Sequence, residues 1–335
     1  MSSFIRIRPF QPTDAEYAAV ARLNALAPPG ERQDFEPRSG AELRALDESL
    51  DPARYVLRRH VAEDVAGGLI VGSAHYFHMP WAFDPGWFWC AVRCDPGWRR
   101  RGIGGRLYAE VTGELAQRGA THVRMMACET APDMIGLLAR RGYREVLRSW
   151  DFELDLARSE PRPRAGRGTA VPGIAIAPLP EVVAQDPGWL ARVHALYVEV
   201  MREVPQPDLP RIDPPPGWLA DHLLRWPTSL PEACFVARDG AEHVGLCVLH
   251  RSGEDAGRLD HLLTGVAARH RGRGIGVALK LATIAHGRAR GYRRIATAVE
   301  SNNPRMLALN EALGFVKTGG LIVFEAALRG VETSP

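Results

Sequence analysis

The stretch "RHRGRGIGVALK", residues 269–280, alternates arginine with glycine and then runs into apolar residues. Ile275, Val277 and Leu279 follow the glycines at once, so we expect the loop to open a buried helix. Glycine leaves the backbone N–H groups of such a helix start open to a ligand, and the positive end of the helix dipole lies behind them. The stretch favours an anion-binding loop; the alternative is a solvated basic turn.

The spacing excludes two familiar phosphate loops. A P-loop requires Gly-Lys-Ser/Thr, whereas the first lysine here is Lys280, inside the predicted helix. The dinucleotide fingerprint requires a third glycine where this chain has Leu279. What remains is an Arg-x-x-Gly-x-Gly pattern formed by Arg271, Gly274 and Gly276.

The same pattern occurs earlier in the chain. Residues 98–107 read "WRRRGIGGRL" and place Arg99, Gly102 and Gly104 in the same spacing, 172 residues before Arg271, Gly274 and Gly276. Further matches continue at this offset as far as Phe152-Glu153 and Phe324-Glu325. A match of this length predicts an internal duplication, a pseudo-dimer of two modules within one chain.

The module boundary is expected in a segment without apolar periodicity. Residues 157–173, "ARSEPRPRAGRGTAVPG", are rich in arginine, proline and glycine and are typical of an extended linker. We therefore predict an amino-terminal domain over residues 1–156, a linker over 157–173 and a carboxy-terminal domain over 174–330. The length of 335 residues agrees with two domains.

Composition restricts the class of protein. The net charge of +3 is too small to argue for nucleic acid, and the linker carries no aromatic residue on which a base would stack. The five cysteines form no zinc-binding or disulfide pattern, and their number is odd. No signal peptide or membrane-length apolar run is visible. We expect a reduced, cytoplasmic protein without a metal cofactor, a membrane partner or a nucleic-acid partner.

Each module repeats one order of elements: a strand, helical segments, a hairpin, a strand, the Arg/Gly loop with its helix, another strand, a helix and closing strands. The second module carries this order most clearly in "TGVAARHRGRGIGVALK" and "ESNNPRMLALNEALGF". These segments resemble the GNAT superfamily of acyl-CoA N-acyltransferases. The resemblance covers both modules and is strongest over residues 260–316. It implies an α/β (α+β) fold class: two tandem GNAT folds, each a mixed, mostly antiparallel sheet flanked by helices.

The resemblance also implies acetyl-CoA as cosubstrate and assigns residues to it. The pyrophosphate would lie on the backbone of the second loop, and more weakly on that of the first. The pantetheine arm would pair with backbone groups near Val266, and Asn303 would help to hold the cofactor. The assigned residues are Arg271, Gly272, Arg273, Gly274, Ile275, Gly276, Val266 and Asn303, with Arg99, Gly102 and Gly104 in the first module.

Catalysis needs a proton acceptor for the amine and a proton for the departing thiolate. In related enzymes the acceptor is a carboxylate about eleven residues before the loop arginine, which selects Asp260; the same count in the first module selects Phe88. The alternative is that Asp260 merely pairs with Arg258. The usual acid is a tyrosine, but the matching positions hold Asn310 and Leu138. An amide cannot act as an acid, although it can hydrogen-bond the thioester or pantetheine.

The second module is therefore expected to carry catalysis and the first to be degenerate. We expect transfer of an acetyl group to the amine of a small molecule or peptide, bound by the helices and loop at residues 194–226. Glu203, Asp208 and Asp213 in that loop suit a cationic amine. The competing hypothesis is an acyl-CoA-binding or regulatory protein without turnover. Whether the chain is a monomer or a homodimer stays open.

Overall fold

The computed structural model describes residues 4–26, 39–80, 83–159, 170–205, 213–253 and 255–328. They divide into two compact units, one formed by the described residues within 4–148 and 321–328, the other by those within 149–205 and 213–320. Most of the predicted linker, residues 160–169, and Asp208 lie outside the described residues. Among the described helices, none has both the length and the apolar run that crossing a membrane would require.

The first unit is built on a sheet in the order β1-β2-β3-β4-β5, completed by residues Leu321–Ala327. Every pairing in it is antiparallel except β4 with β5. Helix α3 covers one face, and α1 with α2 covers the other. The elements from this half of the sequence are β1 (Ile5–Pro9), α1 (Asp14–Ala25), α2 (Gly40–Glu48), β2 (Leu57–Asp64), β3 (Leu69–Phe77), β4 (Trp87–Cys94), α3 (Ile103–Gln117), β5 (His122–Cys128), α4 (Pro132–Arg140) and β6 (Arg144–Asp155).

The second unit repeats this plan, with the order β7-β8-β9-β10-β11 completed by β6. Its one parallel pairing joins β10 and β11. Helices α8 and α9 pack on one face, and α5, α6 and α7 on the other. Its elements are β7 (Ile174–Pro178), α5 (Leu179–Gln185), α6 (Trp189–Met201), α7 (Pro216–Leu224), β8 (Phe235–Asp239), β9 (Glu242–Arg251), β10 (Arg258–Val266), α8 (Ile275–Ala289), β11 (Arg294–Glu300), α9 (Pro304–Ala312) and β12 (Val316–Ala327).

The strand that completes each sheet comes from the other half of the sequence. Residues Leu321–Ala327 pair with β5, and Ser149–Asp155 pair with β11. The predicted domains over residues 1–156 and 174–330 place Ser149–Asp155 in the first domain and Leu321–Ala327 in the second. The structure pairs each segment with the sheet of the other unit. The duplication explains the difference, since Phe152 and Phe324 are equivalent and each is buried in the core that it joins. Equivalent strands fit either sheet, so the hydrophobic pattern carries no information about which one they join.

Candidate active site

The central strands of the second unit separate halfway along β10. Pairing with β11 ends at His261↔Thr297, although β10 continues to Val266 while paired with β9. A bulge between His261 and Leu263 marks the separation. Backbone groups beyond it on the β11 side therefore have no strand partner within the described sheet. This is the place at which the sequence resemblance predicts that the pantetheine arm binds as an added strand.

The Arg/Gly loop connects this open edge to α8. Gly272 and Gly274 have φ values of +80° and +89°, which only glycine adopts without strain. Gly274 is the N-cap of α8, and no side chain caps its first N–H groups. Ile275 is anchored in the core, whereas a Cβ at Gly276 would meet its nearest neighbour only at 3.8 Å. The loop therefore presents unhindered backbone donors at a helix start, which is the geometry of an anion site.

The loop arginines have acidic and backbone partners. Arg271 Nε donates to the Val266 carbonyl oxygen at 3.0 Å, and its guanidinium pairs with Glu203. Arg273 Nη1 lies 2.9 Å from Asp239 Oδ2. The resemblance assigns the backbone near Val266 to pantetheine and Arg271 to the pyrophosphate. In the structure Arg271 therefore already donates a hydrogen bond to the Val266 carbonyl oxygen. A phosphate would compete with the two carboxylates for these guanidinium groups.

The loop of the first unit departs from this geometry at one residue. Gly102 is again the N-cap, at φ +78°, and a Cβ at Gly104 would meet nothing closer than 3.9 Å. Arg100, however, takes the place of Gly272 and has φ +64°. A long side chain in the left-handed region is strained. The backbone that carries Arg99 is consequently the poorer anion site of the two.

We expect calorimetric titration with acetyl-CoA to give one tight site per chain. The strain at Arg100 and the missing asparagine turn in the first unit, where Thr130 and Ala131 replace Asn302 and Asn303, both weaken the first loop. Two sites of equal affinity would show that these differences do not matter.

Asp260 lies on β10 just before the bulge. Its Oδ1 accepts a hydrogen bond from Arg258 Nε at 2.9 Å, so the ion pair that the sequence left open is present. The carboxylate keeps partial exposure, with 27% of its side chain accessible. It is paired but reachable, and its assignment as the proton acceptor stays a prediction.

The first unit carries Trp89, not Phe88, at the level of Asp260. Leu259 pairs with Ile295 just as Phe88 pairs with Val123, so Leu259 and Phe88 are equivalent. The bulge at Leu262 adds one residue to β10, and no such shift interrupts β4. The equivalence of Phe88 with Asp260 is therefore wrong by one residue. The conclusion that the first unit lacks this carboxylate is unchanged.

Glu300 is a second carboxylate on the same face of the sheet, and the sequence pattern does not predict it. Ile295 and Val299 of β11 point into the α8 side of the core, so the alternating Ala296 and Glu300 face the side of Asp260. Burial raises the pKa of Glu300 above its usual value. In the sequence Glu300 is only the last residue of a strand, and nothing in the pattern distinguishes it.

Two histidines and a tryptophan also line up beside Asp260. His250 is the cross-strand partner of Asp260, and its ring centroid lies 4.8 Å from that of His222. Trp218 stacks on His222 at 4.8 Å. Burial lowers the pKa of His222 to about 4 and that of His250 to about 3. Both rings are therefore neutral at pH 7 and form an aromatic wall on the face that α7 covers.

Helix α9 carries the two asparagines that the sequence selected. The Asn303 side chain caps α9 by accepting a hydrogen bond from the Met306 N–H at 3.3 Å. Ala131, its counterpart in the first unit, supplies no such cap. Asn310 is 0% exposed, and neither its Oδ1 nor its Nδ2 has a partner among the described residues. Leaving such a group unsatisfied costs about 1–3 kcal/mol, and the predicted contact of Asn310 with the thioester or pantetheine stays a prediction.

A buried polar chain connects β9, β10 and α8. Lys280 Nζ lies 3.2 Å from His261 Nδ1, and the other ring nitrogen lies 2.5 Å from Thr264 Oγ1 and 3.0 Å from Cys247 Sγ. The lysine is only 2% exposed. Burial lowers its pKa to about 8, and burial also holds the pKa of His261 well below its usual range.

Replacing Lys280 with Met is expected to stabilise the fold at neutral pH. Because the pKa of Lys280 falls from 10.5 to about 8 on folding, the unfolded chain binds this proton more tightly. The free energy of unfolding of the wild type therefore decreases as the pH falls from 10.5 to 8. Below pH 8 it stays about 3 kcal/mol below its value at pH 10.5 and above. Urea unfolding should give the Lys280→Met variant a larger free energy of unfolding than the wild type at pH 7, and a much smaller advantage at pH 10. An equal difference at both pH values would contradict this account.

One group in the described part of the chain brings three metal-capable side chains together: His60, Glu110 and Glu114 of the first unit. His60 Nε2 lies 3.1 Å from Glu114 Oε1, and Glu114 also accepts a hydrogen bond from the Tyr76 hydroxyl at 2.8 Å. Protein partners thus occupy several of the donor atoms. The sequence expectation that the protein uses no metal stays a prediction.

Comparison with known proteins agrees with this geometry. The model of the acetyltransferase (GNAT) family matches residues 19–143 and 196–315. A mycothiol acetyltransferase of Actinosynnema mirum is 27% identical over 304 residues, which cover 89% of each chain. Another, from Thermobispora bispora, is 28% identical over 229 residues, covering 66% of this chain and 70% of that protein.

Two solved structures share the tandem fold. A tandem GNAT protein from the clavulanic acid biosynthesis pathway superposes with a TM-score of 0.74 at 20% identity, covering 97% of this chain and 98% of that one. A GCN5-related N-acetyltransferase from Sphaerobacter thermophilus gives 0.69 at 20% identity over 97% and 96%. At this identity the likeness concerns the fold alone, and it confirms the predicted fold class.

Proposed function

The chain belongs to the GNAT acetyltransferase family, and from that premise we propose that its second unit transfers an acetyl group from acetyl-CoA to the amine of a small molecule. The observation that carries the proposal is one continuous surface within this unit. The open edge of β10 leads directly into the loop of unhindered N–H groups at the start of α8. An extended arm that ends in a pyrophosphate fits such a surface, because the strand edge pairs with amides and the helix start attracts phosphates.

Within this site, the proposal assigns proton removal to Asp260. An alkylammonium must lose a proton before its nitrogen can attack the thioester carbonyl. Asp260 lies at the end of the paired part of β10, next to the segment along which the cosubstrate would bind. Its carboxylate lies 2.9 Å from Arg258 Nε and stays 27% exposed, and a carboxylate at this position would attract a cationic acceptor. Backbone N–H groups at the bulge are suited to stabilise the oxyanion that attack creates.

A small molecule is the favoured class of acceptor. Asp260, His250 and Trp218 lie on the face covered by α6 and α7, and they combine one negative charge with a neutral aromatic wall. Such a wall suits a compact amine with an apolar or sugar-like body. The two relatives named mycothiol acetyltransferase support the same class. At 27–28% identity they do not decide which amine this chain accepts.

A competing function is acyl-CoA binding without turnover. The observation in its favour is that Asn310 and Leu138 replace the tyrosine acid in both units. Incubation of the protein with acetyl-CoA and a mixture of small amines separates the two functions. Catalysis predicts release of free thiol together with an amine that has gained one acetyl group by mass spectrometry. Tight acetyl-CoA binding with no product from any amine or peptide would favour the binding protein.

A further inference from the structure

Acetyl transfer leaves coenzyme A as a thiolate, and the helix face that usually protonates it carries no acid here. Asn310 stands at the position of the family's tyrosine and has no proton to give. The polar groups of the buried chain lie on the same α8 and α9 side of the sheet. Thr264 belongs to the part of β10 beyond its last contact with β11, where the cosubstrate is proposed to bind.

The hydrogen bonds of this chain fix its direction. His261 Nε2 lies 3.2 Å from the Leu263 carbonyl oxygen, which can only accept, so Nε2 carries the hydrogen. Nδ1 is then the acceptor for Lys280 Nζ at 3.2 Å. Nε2 also donates to Thr264 Oγ1 at 2.5 Å, so the hydroxyl hydrogen of Thr264 points away from the imidazole, where Cys247 Sγ at 3.6 Å or a ligand sulfur can accept it. The donors of Lys280 and His261 are therefore oriented towards Thr264 and the open edge of β10.

We propose that Lys280, His261 and Thr264 form a proton-transfer chain that protonates the departing thiolate of coenzyme A. The Thr264 O–H bond breaks as the S–H bond forms, His261 Nε2–H passes its proton to Thr264 Oγ1, and Lys280 Nζ–H passes one to His261 Nδ1. Lys280 ends neutral and coenzyme A ends as the thiol. After the thiol leaves, water at the open end returns a proton along the same chain.

The surroundings of Lys280 suit this role. The groups that face it are His261 on β10, Cys247 on β9 and the Phe315 ring at 5.0 Å, while the Thr283 hydroxyl donates to the Lys280 backbone carbonyl oxygen. No carboxylate among the described residues pairs with it, so burial alone lowers its pKa to about 8. That value is close to the pKa of a free thiol, about 8.5, and proton transfer between them is nearly balanced.

The first unit lacks every member of the chain. With the bulge taken into account, the positions of His261, Thr264 and Lys280 hold Cys90, Val92 and Tyr108. The unit that keeps the glycine loop and the carboxylate is therefore also the unit that has the proton-transfer chain. This coincidence is expected if the chain serves turnover and not folding alone.

The inference rests on the proposed function, and its test uses coenzyme A itself, without an acceptor. Ultraviolet absorbance reports the thiolate of bound coenzyme A during a pH titration. A positive charge connected to the sulfur stabilises the thiolate, so Lys280→Met should raise the pKa of the bound thiol by about 1. Thr264→Val removes only the hydroxyl contact and should raise it as well. Cys247→Ala is the control for packing, because Cys247 touches the imidazole at 3.0 Å and Thr264 Oγ1 at 3.6 Å but passes no proton in the proposed chain.

An unchanged thiol pKa in Lys280→Met and Thr264→Val, with coenzyme A still bound, would overturn the proton-transfer chain and leave the proposed function standing. An equal shift in Cys247→Ala would overturn it too, since packing would then be the cause. Failure of the wild type to bind coenzyme A at all would overturn both the proton-transfer chain and the proposed function. Thr264→Val is nearly isosteric, so the test does not depend on the folding of the lysine variant.

Discussion

The Gly274→Glu variant is expected to lose acetyl-CoA binding at the second unit, with an affinity about a thousandfold lower. The substitution places a carboxylate where the pyrophosphate would lie. Two unit charges at about 4 Å repel each other by about 4 kcal/mol at a protein surface, which corresponds to the thousandfold loss. A side chain at φ +89° also strains the turn that aims the N–H groups of α8. Isothermal titration calorimetry measures the loss directly.

Gly291→Glu is the matched control for backbone strain. Gly291 has φ +76°, in the same left-handed region as Gly274, and open space around it, but it follows the other end of α8. Its replacement introduces the same charge and similar strain at a distance from the loop. Acetyl-CoA affinity should stay at the wild-type level. Equal losses in the two variants would indicate unfolding, and wild-type affinity in Gly274→Glu would move the phosphate site elsewhere.

The Asp260→Asn variant is expected to lose at least about a hundredfold in kcat while keeping its acetyl-CoA affinity. General-base assistance contributes about a hundred- to ten-thousandfold. An amide cannot accept the proton of an ammonium ion, so the variant would depend on the small fraction of amine that is already neutral. The kcat of the variant should therefore rise more steeply with pH than that of the wild type.

Glu300→Gln provides the comparison on the same face of the sheet. Burial raises the pKa of Glu300 above its usual value, and a raised pKa makes a carboxylate a stronger base. We expect this variant to keep kcat within about tenfold of the wild type, because Glu300 lies four residues beyond the level of Asp260 on β11. A large loss in Glu300→Gln with full activity in Asp260→Asn would transfer the role of base to Glu300.

The parts of the site that the sequence predicted depend on local backbone chemistry. The glycines of the loop predict open backbone N–H groups, and the apolar residues after them predict a buried helix; the structure has both at Gly274 and α8. Asn303 before Pro304 likewise marks the start of α9. Requirements of this kind lie within a few neighbouring residues, so one sequence is enough to read them.

Other features depend on partners far along the chain. The bulge at Leu262 shifts the alignment of the two units by one residue, and alternation alone does not reveal such an insertion. Lys280 resembles an ordinary surface lysine in a helical sequence, and only the packing of β9 and β10 shows that it is buried beside His261. The exchange of the closing strands is hidden for the same reason, since the two strands occupy equivalent positions of the repeat.

The most direct test of the central claim asks which loop supports transfer. Gly102→Glu and Gly274→Glu place the same charge at equivalent positions of the two units, at φ +78° and +89°. Each variant is incubated with acetyl-CoA and the amine that the wild type acetylates, and the acetylated product is measured by mass spectrometry in a single turnover. The account predicts wild-type product formation in Gly102→Glu and none in Gly274→Glu. Product from Gly274→Glu together with its loss in Gly102→Glu would contradict the account and assign catalysis to the first unit.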